Sequence, residues 1–423
     1  MTKRTLGGVG KTNPIQTQYK PNQTQLKPIK CQNKPKTKPI QTQSQNPRSK
    51  KFTPPVDERR FGGNNTRANQ GYRVVCVLQE LHKMKIAGPQ TNSIALKLGS
   101  LTLDVPFFQA SLSGYSDCAM RTLARRFGCP FTLADMMLAK SAANPRFLRK
   151  ACFRPVADEH PVGAQILGRN PATMASAARD LVAAGYDVID LNFACPAPKI
   201  LRRGRGGAML NEPDTVIDSL KAVRDVIVAP VLMKLRIGAN HKPQSLDNFW
   251  EIVTRSIENG VDALVIHGRT VSERFRGKAD WDLLAAVKNR FPDATIVGSG
   301  DIFEPPATVD LMKRTGLDGF VVARGAVGNP WIFRDLRCVW ENRPLPPPPE
   351  LTEQRLVILE HFERILKDYP EKKAVRIFRK FFAGYVRRHP RRKPALLSLM
   401  KTKTRAEVET ALNTWYTDTY PNA

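Results

Sequence analysis

The sequence predicts an α/β protein, a (β/α)8 barrel followed by a small all-helical segment, on three observations. Short runs rich in Val, Ile, Leu and Phe alternate with helical patterns along the middle of the chain, the signature of parallel strands joined by helical crossovers. The alternation repeats eight times over about 230 residues, which suits a closed barrel better than an open doubly wound sheet. Behind it, the run PLPPPPE at 344–350 cannot continue a helix and reads as a stiff linker to a separate unit.

The elements follow in order. Residues 1–56 carry 12 Lys/Arg and no acid and are built from Lys, Gln, Thr, Asn and Pro. Too little apolar surface is present to offset the entropy of ordering them, so residues 1–83 read as a disordered basic tail. The barrel is expected over 84–340. Its candidate strands are Pro106–Ala110, Phe131–Ala134, Val162–Leu167, Val188–Asn192, Pro230–Leu235, Ala263–His267, Ala294–Gly298 and Gly319–Ala323. Helical patterns lie between them at Pro171–Ala184, Pro213–Val226, Asp247–Asn259 and Asp280–Asn289, opened by the Pro or Asp that helix starts favour. Over 350–423, apolar residues recur at helical spacing (Leu356, Leu359, Phe362, Leu366, then Val375, Phe378, Phe382, Val386), predicting several packed helices.

Composition bounds the function. With 41% hydrophobic and 25% charged residues, and no apolar run near the roughly 18 residues of a membrane span, an integral membrane protein is excluded. The start MTKRTLGGVG lacks the apolar stretch of a secretory signal, so a cytoplasmic location is expected. Seven scattered cysteines without a C-x-x-C pair argue for reduced thiols and against a zinc site, and no metal is expected. The 67 Lys/Arg against 38 Asp/Glu give a net +29, which makes nucleic acid the first partner to consider. Between Lys372 and Arg405 stand 13 Lys/Arg and no acid, with Phe378, Phe382 and Tyr385 interleaved. A solvated basic face is the plainer alternative; an RNA-binding face suits so one-sided a run better.

In a barrel the chemistry belongs at the carboxyl ends of the strands. Those positions hold Ser111, Leu112 and Ser113, then Gln165, Asn192, Lys234, His267, Arg269, Ser299, Gly300 and Asp301, and finally Ala323 and Arg324. The last two loops, GSGD at 298–301 and ARG at 323–325, are where barrels often hold a phosphate, because glycine lets backbone N–H groups approach the anion. A turn requirement alone would explain those glycines equally well. Lys234 closes the apolar strand PVLMK and needs an anionic or polar partner, for which the N1 and C2 carbonyl of a flavin would serve. Cys195 lies on a proline-stiffened loop after the fourth strand, close in sequence to Asn192, Lys199 and the run RRGRGGAML. Such an electropositive surround predicts a favoured thiolate and a thiol able to give up a proton in turnover.

These motifs together resemble the tRNA-dihydrouridine synthase family. The matching stretches are SGYSD (113–117), VGAQILG (162–168), DLNFACPAPKI (190–200), GGAML (206–210), MKLRIG (233–238), IHGRT (266–270), GSGDI (298–302) and ARGAVGNPWIF (323–333), with FRKFFAGY (378–385) a looser match to its RNA-binding helices. The resemblance implies an FMN enzyme, with NADPH as reductant, that reduces the C5–C6 double bond of uridines in tRNA. It implies that hydride passes from flavin N5 to C6 and that Cys195 gives the proton to C5. It assigns Gln165, Lys234 and His267 to the flavin ring and ribityl chain, and Ser299, Gly300, Asp301, Ala323 and Arg324 to its phosphate. Ser111, Leu112 and Ser113 fall where the first loop lies along the flavin, and Asn192, Lys199 and Arg269 where the uracil is held. The target base must be extruded from its stack to reach the barrel mouth. This chain departs from the family pattern at Ala110-Ser111-Leu112 (usually Ala-Pro-Met), at Ala194 (usually glycine), at Ser299 (often asparagine) and at Phe381 (often histidine). A monomer without a stable protein partner is expected. Two rivals remain at this stage: an FMN barrel reducing a free pyrimidine or other small molecule, and an RNA-binding protein without turnover.

Overall fold

The computed structural model describes residues 96–150 and 152–419, so the expected tail over 1–83 and the opening of the expected barrel, 84–95, lie outside the described residues. The first element is a hairpin that the strand reading missed. Here β1 (Leu96–Leu98) and β2 (Leu101–Leu103) pair antiparallel around Gly99, whose φ of 61° is the left-handed turn conformation glycine allows. Leu96, Leu98 and Leu103 pack against Phe108, Phe131, Val188, Leu232, Val265, Val297 and Val321, the inward-pointing residues of the barrel strands. The hairpin is therefore the barrel's floor.

The barrel follows in chain order: β3 (Phe107–Gln109), α1 (Cys118–Arg126), β4 (Thr132–Leu133), β5 (Met137–Leu138), α2 (Ala139–Ala142), α3 (Pro145–Leu148), β6 (Val162–Leu167), α4 (Pro171–Ala183), β7 (Val188–Asn192), α5 (Pro198–Leu201), α6 (Pro213–Arg224), β8 (Val231–Arg236), α7 (Pro243–Glu258), β9 (Ala263–His267), α8 (Trp281–Arg290), β10 (Ile296–Ser299), α9 (Pro305–Thr315), β11 (Gly319–Val322) and α10 (Trp331–Trp340). All barrel pairings are parallel, running β3–β4–β6–β7–β8–β9–β10–β11 and back to β3, with β4 joined to β6 through Thr132 opposite Val162. The eight expected strands are these eight, displaced by a residue or two at their ends. The added strand β5 pairs with the far end of β6 (Met137 opposite Ile166), where β4 has already left the sheet. Helix starts are fixed by side-chain caps: Asn170 accepts from the Thr173 amide, Asp280 from Leu283 and Asp117 from Met120.

Beyond the proline run come α11 (Leu351–Asp368), α12 (Glu371–Tyr385), α13 (Arg392–Lys401) and α14 (Arg405–Trp415). Phe362, Phe378, Phe381, Phe382 and Tyr385 are fully buried and pack on one another, Phe362 against Phe378 at 5.0 Å between ring centres. This corrects the expectation that Phe378, Phe382 and Tyr385 form an RNA-binding face: the period of the helix turns them into the core. Lys372, Lys373, Arg376, Arg392, Lys393, Lys401 and Lys403 are exposed.

These helices sit on the barrel through main-chain contact. A Cβ placed on Gly384 would land on the Val327 carbonyl and lie 2.9 Å from Gly328 Cα, and Gly328 itself has φ 61°. The glycines of AVGNP and FAGY thus face each other, and α12 rests directly on the loop after β11. Arg388 reinforces the seat by donating to Asn329 and to the Asp335 carboxylate of α10 at 3.1 and 3.2 Å, and Tyr115 meets Phe381 edge-on at 5.5 Å.

Candidate active site

A cavity of about 710 Å³ opens at the carboxyl ends of the strands. Strand register sets its walls: Gln165 stands opposite Asp190, Asn192 opposite Lys234, and His267 opposite Ser299. Of the residues expected at the site, Ser111, Leu112, Ser113, Gln165, Asn192, Cys195, Lys234, His267, Ser299, Gly300, Asp301, Ala323 and Arg324 line the cavity, whereas Lys199 and Arg269 do not. Lys199 is carried away on the exposed turn α5, and Arg269 is buried behind the wall.

The cysteine loop is held by a chain of hydrogen bonds that begins inside the barrel. Gln165 Nε2 donates to Asp190 at 2.7 Å, Asn192 Nδ2 donates to Gln165 Oε1 at 2.6 Å, and Asn192 Oδ1 accepts from the amides of Ala194 and Cys195 at 3.0 Å each. Asn192 therefore shapes the turn that carries the thiol. Arg236, also buried, donates to the Ala194 carbonyl at 2.9 Å and to the carbonyls of Thr270 and Arg274. Gly206 and Gly207 back the loop closely: a Cβ on Gly206 would come 2.9 Å from Cys195 Cβ, and the Gly207 amide donates to the Cys195 carbonyl at 3.1 Å. This explains the double glycine of RRGRGGAML sterically. The charge reading of that segment is corrected. Burial pushes the Cys195 thiol above its ordinary value, outweighing the lowering from the Ala197 backbone and Arg236, and Arg202, Arg203 and Arg205 are not among the influences. The sulfur holds its proton at neutral pH.

Deeper in, burial with help from Arg236 holds the Lys234 ammonium well below its ordinary value, and burial holds the Asp190 carboxyl above its own. His267 is pushed down to about 2 by burial and by Lys234 and Arg236, so it is neutral. Its Nδ1 lies 3.0 Å from the Ser299 carbonyl, which can only accept; the proton sits on Nδ1 and Nε2 is an acceptor. His267 Nε2, Ser111 Oγ and Asp190 Oδ1 are buried at the cavity wall with no protein partner among the described residues. Buried polar atoms of that kind await a ligand rich in hydrogen-bonding groups. The Lys234 amine as donor, a neutral histidine acceptor and an apolar well suit the ring and ribityl chain of a flavin.

The loop expected at the phosphate end has an unusual backbone. Gly300 (φ 129°) and Asp301 (φ 57°) both adopt left-handed backbone, and a Cβ on Gly300 would meet Ala279 Cβ at 2.6 Å and the His267 ring at 3.1 Å. Asp301 is fixed from behind by Arg269, which donates to its two oxygens at 2.8 and 2.6 Å, and by the Ala279 amide at 2.8 Å. Arg269 thus shapes the loop without lining the cavity. Arg324 lies 3.6 Å from Asp301 and 4.5 Å over the Phe275 ring.

Tyr115 of SGYSD and the strand-end residues Met136 and Arg236 also line the cavity, as do Phe275 and Phe303 from barrel loops and Lys380, Ala383, Gly384 and Arg387 from α12 and the turn after it, none of which the sequence had assigned to the flavin or uracil. Phe275 had a readable signal, an exposed aromatic in the loop after the IHGRT motif. Lys380 and Arg387 had none beyond the basic run, because only packing brings that helix to the barrel mouth.

A sequence model of the Dihydrouridine synthase (Dus) family matches residues 108–418, from the first barrel strand through the last helix. The tRNA-dihydrouridine synthase B of Serratia marcescens is 34% identical over 300 residues, 70% of this chain and 87% of the relative. Those of Pseudomonas putida KT2440 (31% over 298 residues, 70% and 87%) and Escherichia coli K12 (32% over 298 residues, 70% and 90%) are similar to it to the same degree. Among solved structures, histamine dehydrogenase from Rhizobium sp. 4-9 aligns at 13% identity with a TM-score of 0.47, over 64% of this chain and 50% of that one. The barrel, its cysteine loop and a match covering nearly three quarters of the chain agree: the protein belongs to the dihydrouridine synthase family of flavin-dependent oxidoreductases.

Proposed function

We propose that this dihydrouridine synthase reduces the C5–C6 double bond of uridines in tRNA, with FMN across the barrel mouth, NADPH as reductant and Cys195 as general acid. The observation that carries the assignment is the Cys195 thiol, protonated by burial and fixed at the cavity wall by Asn192, Arg236 and the glycine pair. When bound, the flavin supplies the two-electron reduction of the double bond. This chain's residues do the rest. Lys234 Nζ would donate a hydrogen bond, and His267 Nε2 would accept one, at the inner wall where the flavin ring would lie. Gly300, Asp301, Ala323 and Arg324 form the phosphate end, with Ser111, Leu112 and Ser113 along the near edge. Cys195 Sγ gives its proton to C5 of the uracil, and Asn192 keeps the sulfur in place while it does so. Water is kept from the reacting atoms by the mainly apolar wall and by α12 over one side. Arg269 is a positioning residue acting through Asp301. The exposed lysines and arginines of α12 to α14 are proposed to grip tRNA phosphates and to offset the energy of base extrusion.

The family match runs through these helices to residue 418, and a reductase of a free pyrimidine has no use for them. The test is a nucleoside analysis by mass spectrometry after incubating the flavin-loaded protein with unmodified tRNA and NADPH. The wild type forms dihydrouridine, and Cys195→Ala loses at least a hundredfold in rate while keeping flavin and tRNA binding. Full activity of that variant would remove Cys195 from the chemistry.

A further inference from the structure

Three cations and one carboxylate meet at the outer end of the cavity. Arg269 is buried against Asp301, whose oxygens also take the Ala279 amide. Arg324, from the loop after β11, reaches Asp301 only at 3.6 Å and lies 5.6 Å over the Phe303 ring. Arg387, from the turn that ends α12, lies 5.9 Å over that same ring. One guanidinium belongs to the barrel and the other to the C-terminal helices, and both line the cavity. Their neighbourhood differs from that of Arg388, the next residue along, which is bound to Asn329 and Asp335. Among the described residues, Arg387 has no carboxylate within ion-pair distance, and its recorded neighbours are an aromatic ring and another arginine. Burial, with Arg269 and Arg387 adding to it, lowers the Arg324 guanidinium below its ordinary value, so the like charges act on one another.

An excess of two positive charges at the mouth of a cavity is self-repelling until a dianion arrives. The backbone beside it is arranged for one, because Gly300 and Asp301 hold left-handed conformations next to Arg324 and neither amide makes a backbone hydrogen bond among the described residues. A terminal phosphate monoester carries the matching charge, and planar guanidinium groups fit its oxygens.

We propose that Arg387 completes the phosphate site of the bound flavin from the C-terminal helices, so that the cofactor's phosphate fastens those helices to the barrel. The proposal rests on the flavin reading given above. A tRNA phosphodiester is the other source of the same chemistry, and riboflavin, which is FMN without its phosphate, separates the two. The experiment titrates the flavin-stripped full-length protein with FMN and with riboflavin by fluorescence quenching, and measures tRNA affinity alongside. For Arg387→Met, which keeps the stem against Phe303, FMN binding weakens about tenfold, the size of one lost charge-assisted contact. Riboflavin binding stays within about twofold, and Arg387→Lys recovers most of the FMN loss. As a second readout, FMN slows amide exchange over residues 371–388 in the wild type more than riboflavin does. Equal weakening of FMN and riboflavin would make Arg387 a packing residue and overturn the proposal. Unchanged FMN affinity with weaker tRNA binding would assign the guanidinium to the RNA and overturn it as well. A wild type that binds neither flavin defeats the cofactor reading itself, whereas a wild type that binds FMN as tightly as Arg387→Met defeats this proposal alone.

Discussion

Replacing Gly384 by alanine tests whether α12 rests on the barrel main chain to main chain. The added Cβ would sit 2.7 Å from the Val327 carbonyl carbon and 2.9 Å from Gly328 Cα, closer still to the carbonyl oxygen. Ordinary contact begins near 3.4 Å, so clearing the carbonyl carbon alone takes a retreat of about 0.7 Å and clearing its oxygen takes more. No side chain can rotate away, because both partners are backbone. The cost belongs at the upper end of the overpacking range, about 3 kcal/mol. Against it stands the better helix propensity of alanine, up to about 1 kcal/mol. The net of about 2 kcal/mol corresponds to a fall in Tm of roughly 3 °C for a folded unit of this size. Because α12 carries Lys380 and Arg387 into the cavity wall, turnover should fall by about tenfold or more. Circular dichroism melting and the dihydrouridine assay read the two effects. The signs differ between the alternatives: an unchanged or raised Tm with full turnover would refute the seat, since a glycine free of contact gains from becoming alanine.

Three further outcomes follow from the geometry. Arg269→Ala, by freeing Asp301 from its two donated bonds, should weaken FMN binding tenfold or more with Cys195 reactivity toward thiol reagents unchanged; retained FMN affinity would show that the loop holds itself. A general acid works in its protonated form, and burial raises the Cys195 thiol above its ordinary value. The single-turnover rate of the pre-reduced enzyme should therefore stay flat through neutrality and fall only as pH climbs past that raised value; a loss centred below about pH 8 would contradict it. Neutralising Lys393, Lys401 and Lys403 together to glutamine should flatten the slope of log affinity for tRNA against log salt by about 0.7–0.9 per contact removed, while leaving Tm in place. An unchanged slope would take α13 and its C-terminal end off the tRNA path.

The barrel was legible because its strands are buried on both faces and read as continuous apolar runs, and because catalytic residues gather at strand ends. That logic located Gln165, Asn192, Lys234, His267 and Ser299 at the cavity. It failed where direction depends on the course of a loop: Lys199 and Arg269 lie within a few residues of lining positions, yet one turns to solvent and the other behind the wall. The hairpin escaped because its strands are three residues each, although LKLGSLTL carries alternation on both sides of a turn glycine. The basic run of the tail misled through its aromatics. Charge along a helix marks the exposed face, and Phe378 and Phe382 four residues apart mark the opposite one. Arg387 could not be placed from sequence, since its neighbours Phe303 and Arg324 are more than sixty residues away along the chain.

The leucine hairpin under the barrel bears on the order of events in turnover. Leu96, Leu98 and Leu103 pack across the lower end of the barrel, so among the described residues the cavity at the carboxyl ends of the strands is closed from below. On the proposed function, a nicotinamide donor and an extruded uridine would approach by the same mouth, and their two half-reactions would be joined by the electrons left on the flavin.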